Sequence, residues 1–128
     1  KGINTMSSNT LKGIRKLSAA LMLLSGVTHL SQLVVYGFAL NVIGAATFGA
    51  IYLVVGIYLL KPGTLGLWLG SYLPLAGGIM GACRYLLVHN NPFSLFHIGI
   101  DLIVVPSCLY LLALEYRRLQ QVAVKSYT

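Results

Sequence analysis

Four apolar runs of about twenty residues, separated by short polar breaks, limit this chain more than any other feature. They read as helices over roughly 17–40, 42–60, 65–88 and 93–116. At 1.5 Å rise per residue, about twenty apolar residues in a helix cross a hydrocarbon core of ~30 Å. The runs lack the period-two alternation of a membrane strand, and four strands do not close a barrel. The breaks are Asn41, Lys61-Pro62-Gly63, His89-Asn90-Asn91-Pro92 and Arg117-Arg118. Connections this short make successive helices antiparallel neighbours. The expected fold is therefore all-α and integral to the membrane, a four-transmembrane-helix up-down bundle.

Composition removes the soluble alternative. The chain is 57% hydrophobic and 9% charged, whereas about a quarter of a soluble domain is charged. The net charge of +7 does not indicate nucleic acid, because the cations flank the apolar runs instead of forming one stripe. Lys1, Lys12, Arg15 and Lys16 precede the first run, Lys61 lies in the second break, and Arg117, Arg118 and Lys125 follow the fourth run. All eight fall on one side of an up-down bundle, and the other two breaks hold no Lys or Arg. By the positive-inside rule both termini are expected on the cytoplasmic face, with the cell membrane as the expected location and the lipid bilayer as a partner. Trp68, Tyr58 and Tyr116 then fall near the inner interface, and Tyr36, Tyr85 and Phe93 near the outer one.

Three segments follow: a basic polar N-terminal tail over residues 1–16 with an interfacial turn over 10–16, a transmembrane domain over 17–116, and a basic C-terminal tail over 117–128. The segment Leu17–Val27 has the length of a signal-peptide core, but it continues apolar to Leu40 and meets no small-residue cleavage site, so it reads as a span. The first methionine is Met6, and the start reads as processed or incomplete. A faint repeat pairs Val54-Val55 and Tyr58 with Val104-Val105 and Tyr110 at unequal spacing.

Small residues mark the packing faces. Gly66, Gly70, Gly77 and Gly81 share one face of the third helix, and Ala45, Gly49 and Gly56 one face of the second. Small faces let backbones touch in lipid, where no hydrophobic force joins helices. Tight packing is the expected role of these glycines. Pro74 and Pro106 read as ordinary membrane-helix prolines capable of a kink. Cys83 and Cys108 differ in depth by ~15 Å at 1.5 Å per residue, too far for a disulfide, and read as packing residues.

The polar residues inside the runs carry whatever chemistry the chain has. His29 and Gln32 are spaced i, i+3, and His97 and Asp101 i, i+4, so each pair shares a helix face. With Arg84, and with His89 above it, they fall in one layer of the outer half. A carboxylate at that depth costs several kcal/mol unless paired, and Arg84 is the strong cation at a comparable level, so an Arg84–Asp101 ion pair is expected. A structural ion pair with bonded histidines competes with an outward-facing ligand, proton or ion site. A metal or haem site using His29, His97 and Asp101 is a weaker candidate, since two imidazoles and a carboxylate suit Cu, Zn or Fe; no cofactor is indicated by a motif.

Short tails and tight turns leave no room for a soluble active site, and no catalytic residues stand out. The first expectation is a non-catalytic accessory subunit of a larger membrane complex, contacting other integral membrane subunits. The second is a small oligomeric transporter or channel, since four helices alone enclose little volume. The third is a haem- or metal-bearing membrane anchor.

Overall fold

A computed structural model describes residues 6–88 and 90–126. Among them the chain forms four α-helices and no strands: α1 (Ser8–Tyr36), α2 (Leu40–Leu60), α3 (Leu65–Leu87) and α4 (Pro92–Ser126). All four are long and apolar enough to cross a membrane. Each helix packs mainly on its neighbours in sequence, and α4 closes the ring on α1.

Local chemistry sets ends that hydropathy does not. The helix α1 starts within the polar N-terminal segment, because the Ser7 hydroxyl accepts from the Thr10 backbone N–H at 3.2 Å and caps the first turn. It stops at Gly37, whose φ of 73° takes the chain out of the helix and which a residue with a side chain would adopt only with strain. The break therefore precedes Asn41, which lies in the first turns of α2. At the other terminus α4 does not stop at Arg117-Arg118. It continues to Ser126, 35 residues in all.

Glycine carries the helix contacts. A methyl group at Gly49 would lie 2.6 Å from the His29 Cβ and 2.9 Å from the Gly26 carbonyl oxygen, and one at Gly26 would lie 2.8 Å from the Gly49 oxygen. The α1 and α2 backbones thus touch at Gly26–Gly49, as small-residue interfaces in lipid require. One turn or two further on, Gly56 faces Leu23 and the Ala19 carbonyl. Gly66 admits the Tyr58 carbonyl, Gly70 admits Cys108 Sγ, and Gly77 admits the Tyr52 hydroxyl. Gly81 differs from the other α3 glycines. A methyl group there meets only Ile98, at 3.8 Å, so it leaves room instead of closing a contact. Cys108 is buried, Cys83 exposed, and both are free thiols.

One end of the bundle is fastened by a residue that the sequence offers only as a topological charge. From α1, Arg15 donates to the Leu59 carbonyl at 2.7 Å, to the Gly63 carbonyl at 2.8 Å, and to the Lys61 carbonyl. These oxygens belong to the end of α2 and the turn after it, where helix carbonyls lack intrahelical partners. At the opposite end the Tyr36 and Phe93 rings meet edge to face at 6.0 Å.

Three stability measurements follow from these contacts. Gly77→Leu forces Tyr52 off its seat and should destabilise the fold by about 1–3 kcal/mol, the cost of overpacking. Gly44→Leu, at a helix position where an added Cβ meets nothing within 4 Å, should unfold within about 0.5 kcal/mol of the parent chain. Arg15→Ala removes charge-assisted bonds to the α2 terminus and should lower the midpoint of thermal unfolding in detergent. An unchanged midpoint would show that water replaces the guanidinium at no cost.

Candidate functional site

The polar side chains of the spans converge near the end of the bundle that carries the α1–α2 and α3–α4 connections. In α1 the stripe Ser18, Met22, Ser25, Gln32 faces inward, at the i+3 and i+4 spacings of one helix face. In α4 the inward stripe is Ser94, His97, Asp101, Val104, Cys108. These two stripes oppose one another, and His29 and His97 meet between them. Their rings stack with centroids 3.5 Å apart and planes inclined by 29°.

Neighbours hold both rings and fix the tautomer of His29. His29 Nδ1 lies 2.9 Å from the Ser25 carbonyl oxygen. A carbonyl only accepts, so Nδ1 carries the proton and Nε2 presents a lone pair in the neutral ring. Thr28 Oγ1 lies 2.9 Å from the Leu24 carbonyl and 3.0 Å from that of Ser25. It also lies 2.9 Å from His97 Nε2. The hydroxyl has one proton for two carbonyls and Nε2, so this contact holds the His97 ring in either tautomer. The two rings are thereby held, each with its other nitrogen left over.

Asp101 is 5% exposed. The Tyr52 hydroxyl donates to its Oδ2 at 3.2 Å, across the diagonal of the bundle from α2. The same Tyr52 ring packs edge to face on His29 at 5.4 Å. Gly77 provides the space for that hydroxyl, so the glycine of α3 sets the position of the carboxylate's partner.

The expected Arg84–Asp101 ion pair does not form. Arg84 Nε and Asp101 Oδ1 are both buried, and neither meets a hydrogen-bond partner. Both residues instead line one cavity of about 230 Å³ between the helices, together with His29, His97 and Tyr52. The helices α2 and α3 touch at Tyr58–Gly66, Leu59–Gly70 and Tyr52–Gly77, whereas an added Cβ at Gly44 or Gly81 meets nothing of the facing helix. Towards the connection end the walls include Asn41, Gly44 and Phe48 of α2 and Met80 and Gly81 of α3. Arg84 of α3 and Asp101 of α4 therefore line one space without pairing.

Gln32 belongs to a second, adjoining network. Its Oε1 accepts from Asn91 Nδ2 at 3.5 Å. Asn91 Oδ1 accepts from the Phe93 backbone N–H at 2.9 Å and from the Tyr36 hydroxyl at 3.4 Å. Asn91 precedes Pro92 at the first position of α4, the arrangement a helix start favours. It is 1% exposed and ties the end of α1 to the start of α4. His89 lies outside the described residues.

The weaker metal expectation finds no support in this arrangement. Among the described residues no group of three or more His, Cys, Asp or Glu is placed to hold a metal ion. His29 and His97 oppose their faces, whereas two axial ligands of a haem oppose ring nitrogens across the iron. Tyr52 and Asn91 are the contributors that the sequence reading missed. A tyrosine in mid-span, away from the interfacial belts, is the signal that marks Tyr52. Asn before Pro at a helix start is the signal that marks Asn91.

Tyr52→Phe strands the second oxygen of a buried carboxylate, which should cost about 1–3 kcal/mol of stability. Replacing both partners, Tyr52→Phe with Asp101→Leu, should cost less than Tyr52→Phe alone. Equilibrium unfolding in detergent measures both; a double variant no more stable than the single one would show that the bond is not what holds Asp101.

No protein-family model, curated protein or solved structure matches the chain.

Proposed function

We propose that the protein is a small multi-pass membrane protein that binds a small ligand in the α2–α3 cavity and passes it across or out of the bilayer, as a member of the transporter class. One observation carries this reading. A purely structural polar cluster closes its donors and acceptors on one another, because an unpartnered buried group costs free energy. Here a buried guanidinium N–H and a buried carboxylate oxygen face one cavity and do not meet. Intramembrane ionisable groups of this kind mark substrate paths more often than they mark packing. The glycine faces point the same way. Gly49, Gly56, Gly66, Gly70 and Gly77 are spent on contacts within the chain, which weakens the case that they serve a partner subunit.

The proposal includes a topology. The helices run up-down, both termini lie on the cytoplasmic face of the cell membrane, and the cavity opens in the outer half. Lys and Arg placement supports this. Arg15 meets the α2–α3 turn at one end, and Tyr36 meets Asn91 at the other. Nucleic acid has no part in it. The protein works alone or as copies of itself within the lipid.

The accessory-subunit reading keeps one observation of its own. At 35 residues, α4 is ~50 Å long and exceeds the hydrocarbon core by several turns. Those turns expose Leu119, Val122 and Val124 beside Arg117 and Arg118. Purification at fixed stoichiometry with unlike integral membrane proteins favours that reading; a homogeneous single-chain particle favours the transporter.

Thiol labelling tests the cavity without knowledge of the ligand. Gly44 lines the cavity, is exposed and has open space at Cβ. On a Cys83→Ser background, Gly44→Cys should react with a cationic, water-soluble methanethiosulfonate added to the face opposite the termini. Adding Gly81→Leu should slow that reaction by partly filling the cavity. Labelling only from the side of the termini, or at the same rate with the cavity filled, overturns the proposal.

A further inference from the structure

Resting on the cavity reading above, we propose that the ligand is a small zwitterion of the amino-acid class with an apolar side chain, held by Arg84 at its carboxylate and by Asp101 at its ammonium group. The unpartnered Arg84 Nε–H is a donor only, and the unpartnered Asp101 Oδ1 is an acceptor in the carboxylate form. A ligand that satisfies both carries an acceptor at one end and a donor at the other.

Charge narrows the choice. Arg84 and Asp101 together are neutral. A monoanion such as a fatty acid would pair with Arg84 and leave Asp101 facing a second negative charge. A simple amine would pair with Asp101 and leave Arg84 unsatisfied. A zwitterion satisfies both ends and adds no net charge to a site enclosed by apolar helices, where an uncompensated charge is costly. The wall supplies a further acceptor, since the Ser25 carbonyl takes the Nδ1 proton of His29 and leaves its Nε2 with a lone pair. An ammonium group has three N–H donors to place. Tyr52 acts here as a positioning residue: it holds Oδ2 of Asp101 and leaves Oδ1 to the cavity.

Size and the remaining wall define the side chain. The cavity is about 230 Å³, below the ~300–1,000 Å³ that drug-sized ligands occupy. Away from the polar groups it is bounded by Phe48, Met80 and Ile98, an apolar surface suited to a branched or aromatic side chain. Gly44 and Gly81, with no bulk at the mouth, leave a way in between α2 and α3.

The test is binding to the full chain in lipid nanodiscs, with L-leucine and L-phenylalanine compared against 4-methylpentanoate and 3-methylbutylamine, each of which lacks one charged end. The expected result is saturable binding of the amino acids, at least about tenfold tighter than either truncated analogue, as the loss of one charge-assisted bond implies. Arg84→Gln should abolish the preference for leucine over 3-methylbutylamine, and Asp101→Asn the preference for leucine over 4-methylpentanoate. If either variant fails to fold, the analogue comparison on the unaltered chain decides alone. Equal binding of an analogue and its parent amino acid overturns the assignment, as does glycine betaine, which has no N–H donor, binding as well as leucine. Absence of amino-acid binding by a chain that passes the Gly44→Cys labelling test also overturns the ligand class, and leaves the cavity reading standing. Failure of that labelling overturns both.

Discussion

Inside a bilayer no water satisfies a polar group, and the whole arrangement follows from where this chain sends its polar side chains. They go inward. Ser18, Ser25, Gln32, Ser71, Asn91, Ser94, His97 and Asp101 are buried, while Val34, Leu40 and Phe38 are 89%, 87% and 79% exposed. A soluble bundle of this size does the reverse. Hydroxyls in the spans bond to carbonyls one turn back, as Ser18 does to Ile14 and Ser71 to Leu67, so they are satisfied before any tertiary contact is made. Of the longer polar side chains, only His29 closes in part on its own helix, at the Ser25 carbonyl; Gln32, His97 and Asp101 are met from other elements. They have to meet across the bundle, and that obligation draws α1 and α4 together at the stacked histidines.

The same obligation explains why the two ends of the bundle differ. At one end the α2–α3 turn is short and Arg15 gathers its carbonyls, so the backbones approach closely at Gly66. Moving along α2, Tyr52 is the first bulky residue to cross the interior, seated at Gly77 and bonded to Asp101. Beyond it α2 offers Phe48, Ala45 and Gly44, and α3 offers Met80 and Gly81, with no tight contact between them. The small residues there do not bring the two backbones into contact. The cavity is the consequence of one wedge, one glycine that admits it, and two glycines past it that meet nothing of the facing helix.

The sequence made the helices legible because twenty-residue apolar runs have few other readings. It made the polar layer legible because depth follows from counting 1.5 Å per residue from a helix end: His29, Gln32, Arg84, His97 and Asp101 fall at one level by arithmetic alone. Partnership within that layer was not legible. Pairing Arg84 with Asp101 assumes that α3 packs on α4 as closely there as at Gly70–Cys108, and the rotation and splay of α3 depend on Tyr52, which no charge pattern identifies. Gly26 was not legible either, since a lone glycine in an apolar run shows its purpose only beside Gly49. The helix ends were missed for a local reason: the Ser7 cap and the positive φ of Gly37 act on backbone geometry, which hydropathy does not register.

A chain shaped by stability alone would not keep Arg84 and Asp101 as they stand. Apolar residues of similar volume in their places would remove two desolvated charges, an exchange that is often neutral or stabilising in protein interiors. Alternatively a closer approach of α3 to α4 at that level would let the two meet. The structure does neither: it bonds one oxygen of the carboxylate to Tyr52, holds the two histidine rings on the Ser25 carbonyl and Thr28, and leaves a donor and an acceptor facing one space. Groups held rigidly by their neighbours and yet unspent are what a binding site needs before its ligand arrives, because the ordering cost is met during folding. The packing residues, from Gly26 to Gly77, supply the stability that lets this fold carry them.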